Sequence, residues 1–174
     1  PRVVVDGVSF AALPGQIVGL LGPNGAGKTT TVSMICGLTS SDRGEVTLAG
    51  QKIGSDTSPA KQKIGLVPQD LALFEDLPAM ANLETFGALY GLHGALLRER
   101  ARAALELVGL ADRARDRPAT FSGGMKRRLN IACALVHDPD ILLLDEPTVG
   151  IDPQSRNAIF DNLETLKARG KAMV

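Results

Sequence analysis

Eight consecutive residues, 22–29, carry the most specific chemistry in the sequence. They read Gly-Pro-Asn-Gly-Ala-Gly-Lys-Thr and meet the phosphate-loop pattern G-x-x-x-x-G-K-[ST] in full. The glycines allow the backbone to curl so that several N–H groups point at one centre. Lys28 adds a positive charge for the β- and γ-phosphates, and the Thr29 hydroxyl is placed for Mg²⁺. The segment therefore predicts a nucleoside triphosphate site.

Two acidic residues follow a short apolar run later in the chain, where Ile141–Leu144 leads directly to Asp145 and Glu146. Because ligands in open α/β sheets bind at the carboxyl ends of strands, we expect both carboxylates at the phosphate site. Successive side chains of a strand point in opposite directions, which predicts different roles for the two acids. Asp145 suits Mg²⁺, either binding it directly or holding one of its ligands. Glu146 suits a general base that polarises the attacking water.

A second candidate anion site begins at Ser122. Gly123 and Gly124 follow it, and apolar residues then recur at helical spacing, so Ser122 is expected to cap a helix whose first N–H groups are bare. Three basic residues, Lys126, Arg127 and Arg128, are expected to add positive charge. The alternative is an ordinary capped helix, and the Ser-Gly-Gly sequence alone does not decide between the two.

The elements that position these groups follow from hydrophobic periodicity and from Gly and Pro punctuation. An apolar strand precedes the phosphate loop and a helix follows it, so bound phosphates would lie at a helix N-terminus. Between residues 77 and 117 the pattern is helical without strand signals, which predicts an inserted helical lobe. Strands are predicted at 3–5, 9–12, 16–21, 44–49, 63–67, 141–145 and 172–174, and helices at 30–36, 79–90, 98–108, 153–167 and after Ser122.

The composition favours one compact domain. The 174 residues are 44% hydrophobic, and 19 basic residues balance 19 acidic ones, which argues against disorder and against a nucleic-acid surface. Cys36 and Cys133 lie in apolar helical runs and are interpreted as buried, reduced thiols. No apolar run approaches the ~20 residues of a membrane helix.

Taken together, the motifs resemble those of the ATP-binding cassette (ABC) family, the nucleotide-binding subunits of ABC transporters, over nearly the whole chain. Residues 22–29 match its Walker A motif, Phe121–Met125 its signature motif, Ile141–Asp145 its Walker B motif, Gln69 its Q-loop, and Gly150–Pro153 its D-loop. The resemblance implies an α/β fold, with a P-loop NTPase (RecA-like) core and an inserted α-helical subdomain that carries the signature segment. Residues 1–174 would form one ABC ATPase domain, with its core at 1–76 and 138–174 and its helical subdomain at about 77–137.

The resemblance also implies roles for individual residues, with ATP and Mg²⁺ as cofactors. Glu146, Gln69 and Lys28 would be catalytic, and Thr29, Gln69 and Asp145 would hold the metal. The phosphates would be held by Gly22, Pro23, Asn24, Gly25, Ala26, Gly27, Lys28, Thr29 and Thr30. Two copies would sandwich two ATP molecules head to tail, and the residues reaching the other copy's nucleotide would be Ser122, Gly123, Gly124 and Asp152.

The sequence departs from the family pattern at several points. Met125 stands where the signature usually has Gln, and Phe121 where it has Leu, a variant that resembles the multidrug and ABC-2-type exporters. The family's switch histidine would fall after Val174, and its adenine-stacking aromatic residue before Pro1. His93 and His137 do not fit the switch role, so we expect the chain to be a trimmed part of a longer protein.

The function that follows is an ATP-binding and ATP-hydrolysing subunit that powers an ABC transporter, of the exporter kind. Its expected partners are a second ABC ATPase subunit, identical or paralogous, and a transmembrane permease that holds it at the inner face of the cell membrane, on the cytoplasmic side. No nucleic-acid partner is expected.

The alternative is a soluble ABC-type ATPase acting in translation or on DNA. A non-hydrolysing regulatory module is disfavoured because Lys28, Thr29, Asp145 and Glu146 are all present. Phe74, Leu77 and Met80 are either core residues or the lining of a groove for a helix of the permease.

Overall fold

The computed structural model describes residues 3–53 and 59–174. Its centre is a parallel sheet in which the strand contributed by residues 141–144 lies between two others. In chain order the elements are α1 (Lys28–Ile35), β1 (Thr47–Leu48), β2 (Gln51–Lys52), β3 (Ile64–Val67), α2 (Ala79–Leu89), α3 (Gly94–Leu107), α4 (Gly123–Leu135), β4 (Ile141–Leu144), α5 (Pro153–Ala168) and β5 (Ala172–Met173).

Both faces of the sheet are buried, which explains why its central strand is continuously apolar. Leu142 and Met173 belong to the larger hydrophobic cluster, which also contains the inner faces of α2, α3, α4 and α5. Leu143 and Val174 belong to a second cluster on the other face, together with Val32 of α1. Because side chains alternate along a strand, adjacent leucines of β4 serve opposite layers.

The helices match the sequence expectations closely. Those predicted at 79–90, 98–108 and 153–167 are found within four residues at each end, and α4 follows Ser122 as expected. The helix after the phosphate loop begins two residues earlier than predicted, at Lys28, since Gly27 occupies the N-cap position in the left-handed region. Lys28 and Thr29 therefore lie in its first turn.

Several predicted strands are wrong or shorter. Residues 3–5 and 9–12 form no strand, and residues 16–21 contribute a single bridge, Ile17 to Met173. The strand predicted at 44–49 shrinks to Thr47–Leu48, since Ala49 and Gly50 take positive φ values of 49° and 77° and form a two-residue hairpin turn.

A ring stack joins the helical region to the sheet. The Tyr90 ring at the end of α2 lies over the His137 ring, with centroids 3.6 Å apart and planes within 2°. His137 Nε2 donates to the Ile64 carbonyl of β3 at 3.1 Å. Nε2 carries the proton, since a carbonyl oxygen only accepts, and Nδ1 is left buried without a hydrogen-bond partner.

No helix within the described residues has the length and apolar content needed to cross a bilayer.

Candidate functional site

The phosphate-loop backbone depends on glycine at its last turn. Gly25 and Gly27 have φ values of 81° and 86°, a region that side chains with a Cβ rarely adopt. A Cβ at Gly27 would also lie only 2.8 Å from the Val4 carbonyl oxygen. The loop is thus packed against the N-terminal segment, and α1 starts directly after it, so its first-turn N–H groups face the loop.

Lys28 is held across this loop. Its Nζ donates to the Gly22 and Pro23 carbonyl oxygens at 2.9 and 3.1 Å. The same Nζ lies 3.8 Å from Oε1 of Glu146. The cation and the candidate base, 118 positions apart in the sequence, are therefore neighbours in space.

The strand register explains how distant segments converge here. Val67 pairs with Leu144, and the Asp145 N–H donates to the Val67 carbonyl at 2.9 Å. The chain beyond β3, with Gln69, and the chain beyond β4, with Glu146, consequently leave the sheet at one edge. They share a cleft of about 560 Å³ with the phosphate loop, and the residues lining it are Val3, Val4, Asn24, Gly25, Gly27, Lys28, Thr29, Thr30, Gln69 and Glu146.

The two acids occupy different environments, although they do not alternate along a strand as the sequence analysis assumed. The strand ends at Leu144, and Glu146 takes a positive φ of 50°, so the pair does not continue the strand geometry. Asp145 is buried with 6% exposure and is not among the cleft-lining residues, whereas Glu146 is half-buried and faces the cleft.

Ser122 and Asp152 cap neighbouring helices outside this cleft. The Met125 N–H donates to Ser122 Oγ at 3.2 Å, and the Ser155 N–H donates to Asp152 Oδ1 at 2.9 Å, so both are N-caps. The hydrogen bonds from Ser155 lower the pKa of the Asp152 carboxyl below its usual value. Ser122, Gly123 and Asp152 are exposed, and Gly124 is buried. The remaining predicted phosphate residues, Gly22, Pro23 and Ala26, belong to the loop itself without lining the cleft.

The three basic residues of α4 do not supply free charge to its N-terminus, contrary to expectation. Lys126 pairs with Glu75 at 2.6 Å, and Arg128 donates to the Val108 carbonyl at 2.6 Å. Arg127 is buried and donates through Nη1 to the Pro68 carbonyl and through Nη2 to the Gln69 carbonyl, at 2.9 and 2.7 Å. All three side chains therefore bind groups of this chain and do not point at the helix N-terminus as free cations.

Arg127 and two asparagines hold the backbone around Gln69, a role that sequence reasoning missed. Asn130 Oδ1 accepts from the Ala72 N–H at 3.1 Å, one helical turn after Arg127, so α4 holds the segment that contains Gln69 at two places. Buried Asn82 bonds both backbone groups of Phe74 and fixes the same segment from α2. Polar residues at the i, i+3 spacing of the apolar face of α4 were the available signal.

Phe74 and Leu77 are 48% and 39% exposed, so the core interpretation is wrong for them, while Met80 packs against the larger cluster. Cys133 is buried as expected, but Cys36 is only half-buried. Burial raises the pKa of both thiols, to about 12 for Cys133 and about 11 for Cys36, which keeps them protonated.

Comparison with known proteins assigns the family. A sequence model described as ABC transporter matches residues 5–149. The linearmycin resistance ATP-binding protein LnrL of Bacillus subtilis (strain 168) is 52% identical over 99% of this chain and 56% of its own length. Nod factor export ATP-binding protein I of Paraburkholderia xenovorans (strain LB400) is 46% identical over 99% of this chain and 57% of its own length. The chain thus spans little more than half the length of these curated relatives.

Solved structures give the same fold. An ATP-binding subunit of an ABC transporter superposes with a TM-score of 0.82 and 32% identity, covering 98% of this chain and 71% of the other. A dimeric ATP-binding cassette in a post-hydrolysis state, bound to ADP and phosphate, gives a TM-score of 0.84 and 31% identity, covering 98% and 78%. With its α/β P-loop NTPase fold, the chain belongs to the ABC transporter family.

Proposed function

We propose that this chain is the ATP-binding and ATP-hydrolysing domain that powers an ABC transporter of the exporter type. The observation that carries the proposal is the single cleft that joins Lys28, Gln69 and Glu146 to the phosphate loop. A cation, a polar amide and a carboxylate base around a glycine-rich anion cradle are the groups that phosphoryl transfer to water requires. The relatives named for linearmycin resistance and Nod factor export support the direction of transport.

The donor set of the cleft fits ATP with Mg²⁺. The positive-φ glycines and the first turn of α1 offer backbone N–H groups to phosphate oxygens, and a Cβ at Gly27 would be blocked. Thr29 and Gln69, which line the cleft, and the buried Asp145, which directly precedes the cleft-lining Glu146, would hold Mg²⁺, since hydroxyl, amide and carboxylate oxygens are its preferred protein ligands. The bound ion would supply Lewis-acid polarisation of the phosphate oxygens.

The chain's own residues account for the remaining steps. Lys28, whose Nζ already lies beside Glu146, would neutralise charge on the terminal phosphate. Glu146 would accept a proton from the attacking water, and Gln69 would orient that water. Arg127, through its bonds to the Pro68 and Gln69 carbonyls, would keep Gln69 at the cleft.

Ser122, Gly123, Gly124 and Asp152 would act on the nucleotide of a second copy in a head-to-tail dimer. They lie at adjoining helix N-termini outside the chain's own cleft, which supports a role toward a partner. A related cassette of 31% identity is a dimer. The partner subunit would be identical or a close paralogue.

A transmembrane permease is the other proposed partner, and it would hold the domain at the cytoplasmic face of the membrane. Leu71, Phe74 and Leu77 are each at least 39% exposed and follow Gln69 in the chain. An apolar surface continuous with the segment that senses the nucleotide suits a coupling helix of such a permease. We further propose that residues 1–174 are one domain, with its core at 1–76 and 138–174 and its helical subdomain at about 77–137.

The substitution Lys28→Ala tests the site. It should weaken ATP binding and abolish turnover, because the phosphates lose their main cation. ATP affinity is measured with a fluorescent ATP analogue and turnover by phosphate release, with Lys52→Ala as the control because Lys52 is an exposed lysine outside the cleft. Wild-type affinity and turnover in Lys28→Ala would remove this cleft from the reaction.

A further inference from the structure

Two neighbouring glycines of the signature segment have opposite surroundings. A Cβ built on Gly123 meets nothing within 4 Å. A Cβ built on Gly124 would overlap both Oγ and Cβ of Ser155 and would lie 3.4 Å from Asp152 Oδ2. Neither glycine has a positive φ, so the two differ in the room available for a side chain and not in backbone conformation.

The contact joins the first turns of two capped helices. Gly124 is the second residue of α4, whose N-cap is Ser122, and Ser155 is the third residue of α5, whose N-cap is Asp152. The Ser155 N–H is held by the Asp152 carboxylate at 2.9 Å, so Ser155 cannot move away without breaking that cap. A rotation of its side chain would move Oγ but not Cβ, and the overlap at Cβ would remain.

We propose that Ser155 is a positioning residue: packed against Gly124, it locks the start of the signature helix to the start of the helix after the D-loop. The two segments that the proposed function places at the dimer seam then move as one body. The absence of a side chain at position 124 serves this internal packing. This inference rests on the proposed dimer only for its effect on turnover; the contact itself does not depend on it.

The first test measures thermal unfolding of the full-length protein without nucleotide. Gly124→Ala should lower Tm by roughly 2–12 °C, the range for overpacking in a domain of this size. Gly123→Ala, one residue away and with open space, should keep or raise Tm because alanine favours helix. An unchanged Tm in Gly124→Ala would overturn the proposal.

The second test asks whether moving the methyl group restores the fit. In the Gly124→Ala background, Ser155→Gly removes the obstructing Cβ and should recover at least half of the lost Tm. Ser155→Ala, which retains the Cβ, should recover less. Failure of Ser155→Gly to improve on Ser155→Ala would show that the two residues are not the obstructing pair.

The third test separates positioning from simple stability, using ATPase kinetics at a temperature where all variants are folded. Gly124→Ala should lower kcat at least about tenfold, because small misplacements at a reacting site are costly, and leave KM for ATP near wild type. Adding Ser155→Gly should restore kcat. A lower Tm with unchanged kcat would reduce Ser155 to a structural contact, and the unfolding tests would still stand if the proposed ATPase activity were itself wrong.

Discussion

The cleft contains residues of the phosphate loop and residues that follow strands at the edge of the sheet. Lys28 is held by two hydrogen bonds to carbonyls of its own loop and by an ion pair with Glu146 at 3.8 Å. Glu146 reaches the same place from another strand and does so with a left-handed backbone, φ 50°, that a glutamate rarely adopts. Strained conformations of this kind are concentrated at functional sites, which agrees with a catalytic role for Glu146.

Glu146→Gln should separate binding from turnover. The amide keeps the size of the side chain but cannot accept the proton, so hydrolysis should fall by roughly 10²–10⁴-fold while ATP still binds. The full-length variant should accumulate an ATP-dependent dimer, measured by size exclusion with and without nucleotide. Glu45→Gln, an exposed glutamate, is the control. Turnover at the wild-type rate in Glu146→Gln would transfer the role of base to another group.

At the scale of elements, α4 links the parts of the site. Its first turn contacts α5, and Arg127 and Asn130, one and two turns in, hold the backbone of the segment after β3. A change in the position of the signature helix would therefore be transmitted to Gln69 through two sets of hydrogen bonds.

Removing the Arg127 guanidinium should uncouple Gln69 from α4. Arg127→Met leaves two carbonyls without their donors and should lower the unfolding free energy by about 1–3 kcal/mol. Turnover should fall more than ATP affinity, because the proposed role of Gln69 is to orient the attacking water. Arg102→Met removes the same charge from an exposed face of α3 and should change neither quantity. Equal unfolding free energies and equal turnover in the two variants would contradict the proposed coupling between Arg127 and Gln69.

His137 should make stability depend on pH. Burial lowers the pKa of its imidazole below the usual 6.5, and the nearby Lys171 lowers it further. The Ile64 carbonyl and Asp138 raise this pKa, but the effect of burial is larger. The unfolded chain then binds the proton first, so this contribution to stability is complete above pH 6.5 and is lost as pH falls through the folded pKa. Denaturant unfolding at pH 7.5 and 5.5 should show a smaller loss in His137→Gln than in wild type.

His93→Gln is the matched control for this experiment, because His93 is exposed and is the only other histidine of the 174 residues. It should leave the pH dependence of unfolding as in wild type. A wild-type pH dependence in His137→Gln would assign the effect to other groups.

The sequence predicted the helices better than the strands, for a physical reason. An amphipathic helix closes its hydrogen bonds within itself, and its periodicity is visible in any window. A strand exists only if a partner lies alongside, which is why 64–67 and 141–144 were found, while 3–5 and 9–12, without partners in the described chain, were not. The phosphate loop and the acids followed from local motifs. Arg127 could not be recognised as a buried brace, because its partners are carbonyls 58 and 59 positions away.

At the scale of the molecule, the proposed head-to-tail dimer can be tested by complementation. In the full-length protein, Lys28→Ala and Ser122→Arg homodimers should both be inactive, since every composite site lacks one element. In a mixed dimer one site collects both lesions and the other none, so ATPase should return to as much as about half of wild type if the sites act independently. Phosphate release is measured before and after mixing. Normal hydrolysis by the Ser122→Arg homodimer would leave the signature segment as a helix cap only.

The Tyr90–His137 stack has a practical consequence for spectroscopy. The 174 residues contain one tyrosine and no tryptophan, so the ultraviolet emission of this chain excited near 280 nm comes from a single ring. That ring lies flat on an imidazole, 3.6 Å away, at the junction between the helices and the sheet. Protonation of the imidazole, or a change in its distance from the Tyr90 ring, would change the emission of Tyr90. The chain thus carries its own label-free probe of the contact between the end of α2 and the segment that follows α4, at a site outside the cleft where a nucleotide would bind.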